Sequence, residues 1–295
     1  MRVDRCYNGY PTEEGDGDVK KPRYRRHLIP AIVTYILAIL YLAPFYITFT
    51  YAFRSGVDIV LNPIGFPSSL FLDNFKKALE IADIFTAMKN SFIVTVFTVI
   101  IVVLLCSMAG YVLCRNRNKK VYYALYLLFT FSIFLPFQTV MFPVYKQAFD
   151  YGYLNTLYGL TSSIIAFNCG LFIFMYSGFV NTVPLELEEA ARIDGCSRLR
   201  SFWQITFPLL KPIHISVAVI AALSGWNDFI ISLVMVHQKP VRTLQLMQFY
   251  FIGQNTQDPP AAFAAFTLAL IPVLVFYIFM QKYIEKGITA GALKG

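Results

Sequence analysis

The sequence predicts an all-α polytopic membrane protein with six transmembrane helices and both termini in the cytoplasm. Three observations predict it. Of 295 residues, 57% are hydrophobic and only 14% charged, with a mean hydropathy of +0.57, whereas soluble domains carry roughly a quarter charged residues. Six apolar stretches each approach or exceed the ~20 residues that cover ~30 Å of hydrocarbon as a helix. Lys and Arg gather in alternate links between those stretches. The composition excludes a disordered chain, a collagen-like fibre and a small disulfide scaffold. A β-barrel is excluded because no sustained in–out alternation runs along the stretches.

Residues 1–27 form a cytoplasmic tail. It is polar around Glu13, Glu14, Asp16 and Asp18, is expected to be disordered to about Val19, and ends in Lys20, Lys21, Arg23, Arg25 and Arg26. The remainder, 28–295, opens with a first span, Leu28–Phe53, too long for a cleaved signal peptide and so retained as an anchor. In the loop after it, Asp73 is expected to cap a short helix whose apolar residues Phe75, Leu79, Ala82 and Phe85 repeat every three or four positions. That helix lies on the outer membrane surface or against the bundle. The second span is Ser91–Cys114, the third Val121–Tyr145, the fourth Leu157–Val180, the fifth Ile213–Val236 and the sixth Ala262–Tyr283. Pro136 and Pro272 fall inside the third and sixth, where proline removes a backbone donor and kinks a helix. Such kinks shape a pathway in some bundles and nothing in others.

Orientation follows from the basic residues. The tail before the first span, the link with Arg115, Arg117, Lys119 and Lys120, the link with Arg192, Arg198, Arg200 and Lys211, and the C-terminal tail 284–295 with the last turn before it hold 18 of the 25 Lys and Arg. The opposite loops share seven, Arg54, Lys76, Lys77, Lys89, Lys146, Lys239 and Arg242. The positive-inside rule places the richer side in the cytoplasm, and the net charge of +8 is then a topology signal that also attracts anionic lipid headgroups, not a nucleic-acid arm. Of the five cysteines none falls in an external loop, and no Cys/His cluster has zinc spacing. The expected metal complement is none.

The link 181–212 reads NTVPLELEEAARIDGCSRLRSFWQITFPLLKP. Thr182 or Asn181 can cap a helix that has Pro184 in its first turn and Glu186, Glu188 and Glu189 near its positive dipole end. Gly195 ends that helix by accepting left-handed geometry, and Ser197 caps a second through Leu199, Phe202, Trp203 and Ile205. Pro208 and Pro212 punctuate the return to the membrane. A bare link needs only a few residues, so two capped helices with apolar groups suggest docking to a cytoplasmic partner, or packing on the protein's own inner surface.

Glu189, Ala190, Ala191, Gly195, Ile205 and Pro208 follow the E-A-A, three residues, G, nine residues, I-x-L-P pattern, with Phe207 where leucine is usual. This resembles the cytoplasmic loop of permease subunits in binding-protein-dependent ABC importers. Arg242-Thr243-Leu244 and the ending Gly287–Gly295 are similar to the sugar-importer, maltose-type smaller permease branch. The resemblance implies that Glu189, Ala190, Ala191, Asp194, Gly195, Phe202, Ile205 and Pro208 couple the spans to cytoplasmic ATPases. It also implies a homologous second permease, two ATPase subunits and an external substrate-binding protein as partners, and a bacterial plasma-membrane location. ATP and Mg would bind the ATPases, since this chain has no G-x-x-x-x-G-K-[ST] loop. The chain is therefore not expected to be an enzyme or to hold a cofactor itself.

For a substrate pathway the residues point to Asp228, an acidic side chain well inside the fifth span, with Trp226 and Asn227 beside it. A buried charge of this kind faces a bundle interior or water, and an aromatic face with hydrogen-bonding groups suits a sugar. The alternative is a helix-to-helix hydrogen bond. Gln138 and Asn168 are further candidates. The last external loop, His237–Pro260, carries Gln245, Gln248, Gln254 and Asn255, which either contact the binding protein or sit in solvent. The rivals are an ion-coupled secondary transporter, which usually buries several acids, and a channel subunit, which would show a filter-like glycine run or charged ring.

Overall fold

Helix is the regular structure of the residues that the computed structural model describes, 28–254 and 258–292, and none of them is in a strand. The tail 1–27 and Asn255 lie outside them. Two units divide the chain, residues 1–46 and 47–295. The first holds most of α1, Leu28–Ala52, which ends one residue before the expected first span. Its residues are apolar on every side, with Tyr35, Ile39, Leu40 and Tyr41 all exposed, as suits a helix solvated by lipid.

The second unit begins with α2, Gly56–Leu61, and α3, Asp73–Ala82. Asp73 does not cap α3: the cap position is Leu72, and Asp73 opens the first turn, where its charge still favours the dipole. Asn74 takes the structural role instead. It is 2% exposed, and its Nδ2 donates to the carbonyls of Ala52 at 3.0 Å and Arg54 at 2.8 Å. Next, α4, Ile84–Ile101, runs through a π-helical turn, Val102–Cys106, into α5, Ser107–Arg115. Together they form one apolar span of 32 residues, Ile84–Arg115.

The expected third span is broken. Helices α6, Lys120–Ser132, and α7, Phe137–Asp150, meet at 106° across four residues. Pro136 causes more than a kink: its backbone is extended (φ −69°, ψ 137°), and with no N–H to donate it lets the chain turn. The expected fourth span is found intact as α8, Leu157–Val180, with Thr156 capping it through the Gly159 amide. After α8 come α9, Leu185–Ile193, then α10, Arg198–Ser201, a second π-helical turn, Phe202–Thr206, and α11, Phe207–Leu209. The chain bends by 79° into α12, Lys211–Trp226. The expected fifth span is also divided, because α12 stops at Trp226 and α13 covers only Ile230–Met235.

The last loop is more ordered than its mixed composition suggests. It contains α14, Leu244–Gln254, with Leu244, Leu246 and Met247 buried. The final helix α15, Pro259–Ala292, carries Pro272 within it. Among the described residues four helices are long and apolar enough to cross a membrane, or up to six if each bent pair is one span.

Helix α8 is the axis of the packing, touching α4, α5, α6, α7, α12 and α13. Backbones approach closely where glycine allows. A Cβ on Gly110 would stand 2.6 Å from the Cβ of Tyr176 and 3.0 Å from the Ser177 amide. On Gly225 it would stand 3.0 Å from the Cα of Thr95, and on Gly170 it would collide with the Phe129 carbonyl. Small residues at crossings replace the hydrophobic drive that lipid cannot supply.

Candidate functional site

The segment between α8 and α12 folds as two short helices hinged at Gly195. Neither Thr182 nor Asn181 caps α9; Pro184 holds the cap position in an extended conformation. The Thr182 hydroxyl turns back to the Phe179 carbonyl at 2.8 Å, and Asn181 Oδ1 accepts from the Cys114 thiol at 3.0 Å. Both side chains are thus engaged with the spans rather than with α9. The far end forms as expected. Gly195 has φ +86°, the Cys196 amide donates to Ala191 at 2.9 Å, and the Gly195 amide donates to Arg192 at 3.1 Å. These two bonds make a Schellman cap and satisfy carbonyls that a helix end leaves open. Ser197 then caps α10, its Oγ accepting from the Arg200 amide at 3.3 Å.

The expected coupling residues divide between two faces. Glu189, Ala190, Asp194, Gly195 and Pro208 are exposed, and Ile193, Leu199, Leu187 and Leu185 beside them are exposed apolar side chains. Ala191 and Phe202 are buried, and Ile205 is half-buried. Phe202 is 2% exposed and packs its ring 5.0 Å from that of Tyr111 on α5. The outer face is therefore exposed, while the inner face packs the pair on the bundle.

What fastens the pair was not among the sequence candidates. Glu188, 5% exposed, accepts from Tyr111 Oη at 2.8 Å, from Arg115 Nε at 3.0 Å and Nη2 at 2.8 Å, and from Thr206 Oγ1 at 3.1 Å. Arg115 Nη2 also donates to the Val183 carbonyl at 2.9 Å. A buried carboxylate is tolerable only when paired and fully hydrogen-bonded, which this one is. Its register could have been read from the sequence: Glu188 lies three residues from Ala191, on the inward face, while Glu189 points out. The group edges a cavity of about 440 Å³ whose walls include Arg192, Arg198 and Tyr122. Beyond it, His214 ties α12 to both neighbours. Its Nε2 lies 2.9 Å from the Phe207 carbonyl, so it must donate there, leaving Nδ1 to accept from Tyr176 Oη at 2.9 Å.

The expected pathway residues do not gather in one place: Trp226 packs on the cluster that includes Ala52, Ala78 and Ala261, and the others lie beside a second cluster around Phe137. Asp228 lies in the break between α12 and α13, where its Oδ2 accepts from the amide and the hydroxyl of Ser232, both at 2.8 Å. Asn168 donates to the Ile164 carbonyl at 2.8 Å on its own helix, and Gln138 is exposed on α7. Their neighbours Phe137 and Phe167 meet at 5.3 Å, and Phe229 packs into the same cluster. Trp226 is half-buried with no partner for its indole N–H among the described residues, and Asn227 is exposed.

In the last loop, Gln245 and Gln248 are half-buried on α14, whose last residue is Gln254. That loop is pinned rather than loose. Asn90 Nδ2 donates to the carbonyls of Pro240 at 2.9 Å and Arg242 at 3.0 Å, and Ser91 Oγ accepts from the Leu244 amide at 2.8 Å. Asn155 Oδ1 accepts from the amides of His237 and Gln238. Among the described residues no group of three His, Cys, Asp or Glu could hold a metal ion.

Known proteins resemble this chain in sequence and in fold. The chain is 35% identical to a probable starch degradation products transport system permease, AmyC, of Thermoanaerobacterium thermosulfurigenes, over 94% of this chain and all of that one. It is 33% identical to the melibiose/raffinose/stachyose import permease MelC of Bacillus subtilis, again over 94% of this chain and all of the relative. In fold it is similar to a chain in the crystal structure of a bacterial ABC transporter involved in the import of the acidic polysaccharide alginate, with a TM-score of 0.74 at 22% identity, covering 88% of this chain and 96% of that one. Residues 103–290, which contain the hinged helix pair and its anchors on α5, α8 and α12, match the family described as binding-protein-dependent transport system inner membrane component, and the chain belongs to that family.

Proposed function

We propose that the chain is the permease subunit of an ATP-driven importer and forms half of a translocation pathway for a sugar or oligosaccharide. The observation that carries this reading is the helix pair hinged at Gly195: an exposed apolar and acidic outer face, backed by a buried anchor, set between apolar helices. Such a face fits a groove on a cytoplasmic ATPase, and closure of two ATPases on ATP would then lever the spans between two states. The sugar class is supported by the relatives, which are named for starch products and for melibiose, raffinose and stachyose.

In this reading the Lys- and Arg-rich ends lie in the cytoplasm of a bacterial cell and six spans cross its plasma membrane, α6 with α7 and α12 with α13 each counted as one. A homologous second permease completes the pathway, and an external binding protein docks over the segment around α14, with Gln245, Gln248, Gln254 and Asn255 as contacts. Trp226, Asn227, Asp228, Asn168 and Gln138 contribute to the pathway. ATP and Mg are bound on the ATPase subunits, where the hydrolysis occurs.

The test is uptake into vesicles that hold the chain with its co-purified partners and the matched binding protein. Uptake should require ATP inside or outside according to the ATPase face, and should be saturated by the sugar that the binding protein holds. Uptake that persists without ATPase subunits overturns the reading.

A further inference from the structure

We propose that Glu188 and Arg115 form an internal pin through which movement of the loop reaches the span Ile84–Arg115. The inference rests on the importer reading above and names positioning residues for it. Four donors converge on the Glu188 carboxylate from two directions: Tyr111 and Arg115 from the end of α5, and Thr206 from the turn after α10. Arg115 adds a bond to Val183, just before α9. One buried carboxylate therefore joins the start of the loop, its second helix and the end of a span. The ion pair is 2.8 Å long, with side-chain exposures of 17% for Arg115 and 6% for Glu188, so water competes little for it.

The geometry around the pin fits transmission rather than simple stapling. Both segments that meet at Glu188 contain a π-helical turn, Val102–Cys106 before Tyr111 and Phe202–Thr206 ending at Thr206. Such turns interrupt the regular hydrogen-bond ladder and recur at functional sites. The cavity of about 440 Å³ beside the pin leaves α9 room to shift against α5 without a clash. A load on the exposed face of α9 thus has a stiff polar route into α5 and an open space of mixed polar and apolar lining next to it. Glu188 points away from that exposed face, so its part is to pass motion inward, and Glu189 and its neighbours meet the partner.

The experiment uses the complete complex in proteoliposomes, with Glu188→Gln, Tyr111→Phe and the exchange Arg115→Glu with Glu188→Arg. Substitutions along such networks change coupling by roughly 2- to 30-fold. Glu188→Gln should leave ATPase subunits co-purifying at the wild-type ratio while uptake per ATP hydrolysed falls by about tenfold. Tyr111→Phe, which keeps the ring against Phe202, should lower the same ratio less, and the exchange should restore part of it. An unchanged ratio in Glu188→Gln, with wild-type uptake normal, overturns the pin alone. Loss of ATPase co-purification in both Glu188→Gln and Tyr111→Phe also overturns it, by making the group a requirement for folding or docking. Absence of ATP-driven uptake by the wild-type complex overturns the importer reading beneath it.

Discussion

Substitution of Gly195 separates two demands that the loop could place on this position. Its φ of +86° lies where an L side chain is strained, yet a Cβ there would meet nothing of this chain within 4 Å. The whole intrinsic cost is therefore backbone strain, about 1–2 kcal/mol for alanine, which lowers the population of the turn by a factor of roughly 5–30. Asparagine tolerates this region better and valine worse. Retention of co-expressed ATPase subunits on the affinity-purified full chain should therefore follow the order Gly, Asn, Ala, Val, with membrane insertion unchanged throughout. Equal loss for Asn and Val would refute the reasoning, because the position would then be limited by a partner's close approach and not by its own φ.

Asp228→Asn keeps an oxygen to accept from Ser232, so assembly should survive while transport changes; a loss of folded complex with no transport defect in the remainder would make the residue structural. Gly110→Val drives its side chain into Tyr176 and the α8 backbone and should destabilise by about 1–3 kcal/mol or more, read as a lowered midpoint of thermal unfolding in detergent. The segment 54–65 should loosen in acid. The Arg54 guanidinium, hydrogen-bonded and close in charge, holds the Asp58 carboxyl below its ordinary value of 3.8. A depressed carboxylate stabilises the fold above its unfolded pKa and loses that contribution as pH falls through the folded one, so protease cleavage of this segment should rise below about pH 4 and Asp58→Asn should remove the pH dependence.

Apolar length was the most legible feature of the sequence. It places α8 at Leu157–Val180 and α1 within one residue of its end, because lipid solvation requires length and little else. Local chemistry was legible where only a few residue types fit, as at Gly195 and Ser197. It misled where a tertiary partner competes. Thr182 and Asn181 bond to α8 and α5 instead of capping α9, and Asn74 rather than Asp73 secures α3. Hydropathy also reads straight through the breaks at Ile133–Pro136 and Asn227–Phe229, since bending a helix leaves its composition unchanged. The Glu188 network was hidden for another reason: Arg115 is 73 positions away, and only the fold brings the two together.

The glycine crossings carry a kinematic consequence. Where α5 meets α8 at Gly110, and α12 meets α4 at Gly225, backbone rests on backbone with no side chain between to deform. Helices seated this way have no clearance to slide or roll, so α4, α5, α8 and α12 take up a push as one block. Relative motion is left to the places without such contact, the 106° corner at Ile133–Pro136 and the gap at Asn227–Phe229. Asp228 stands in the second of these, so a pathway residue there would also sit at a joint.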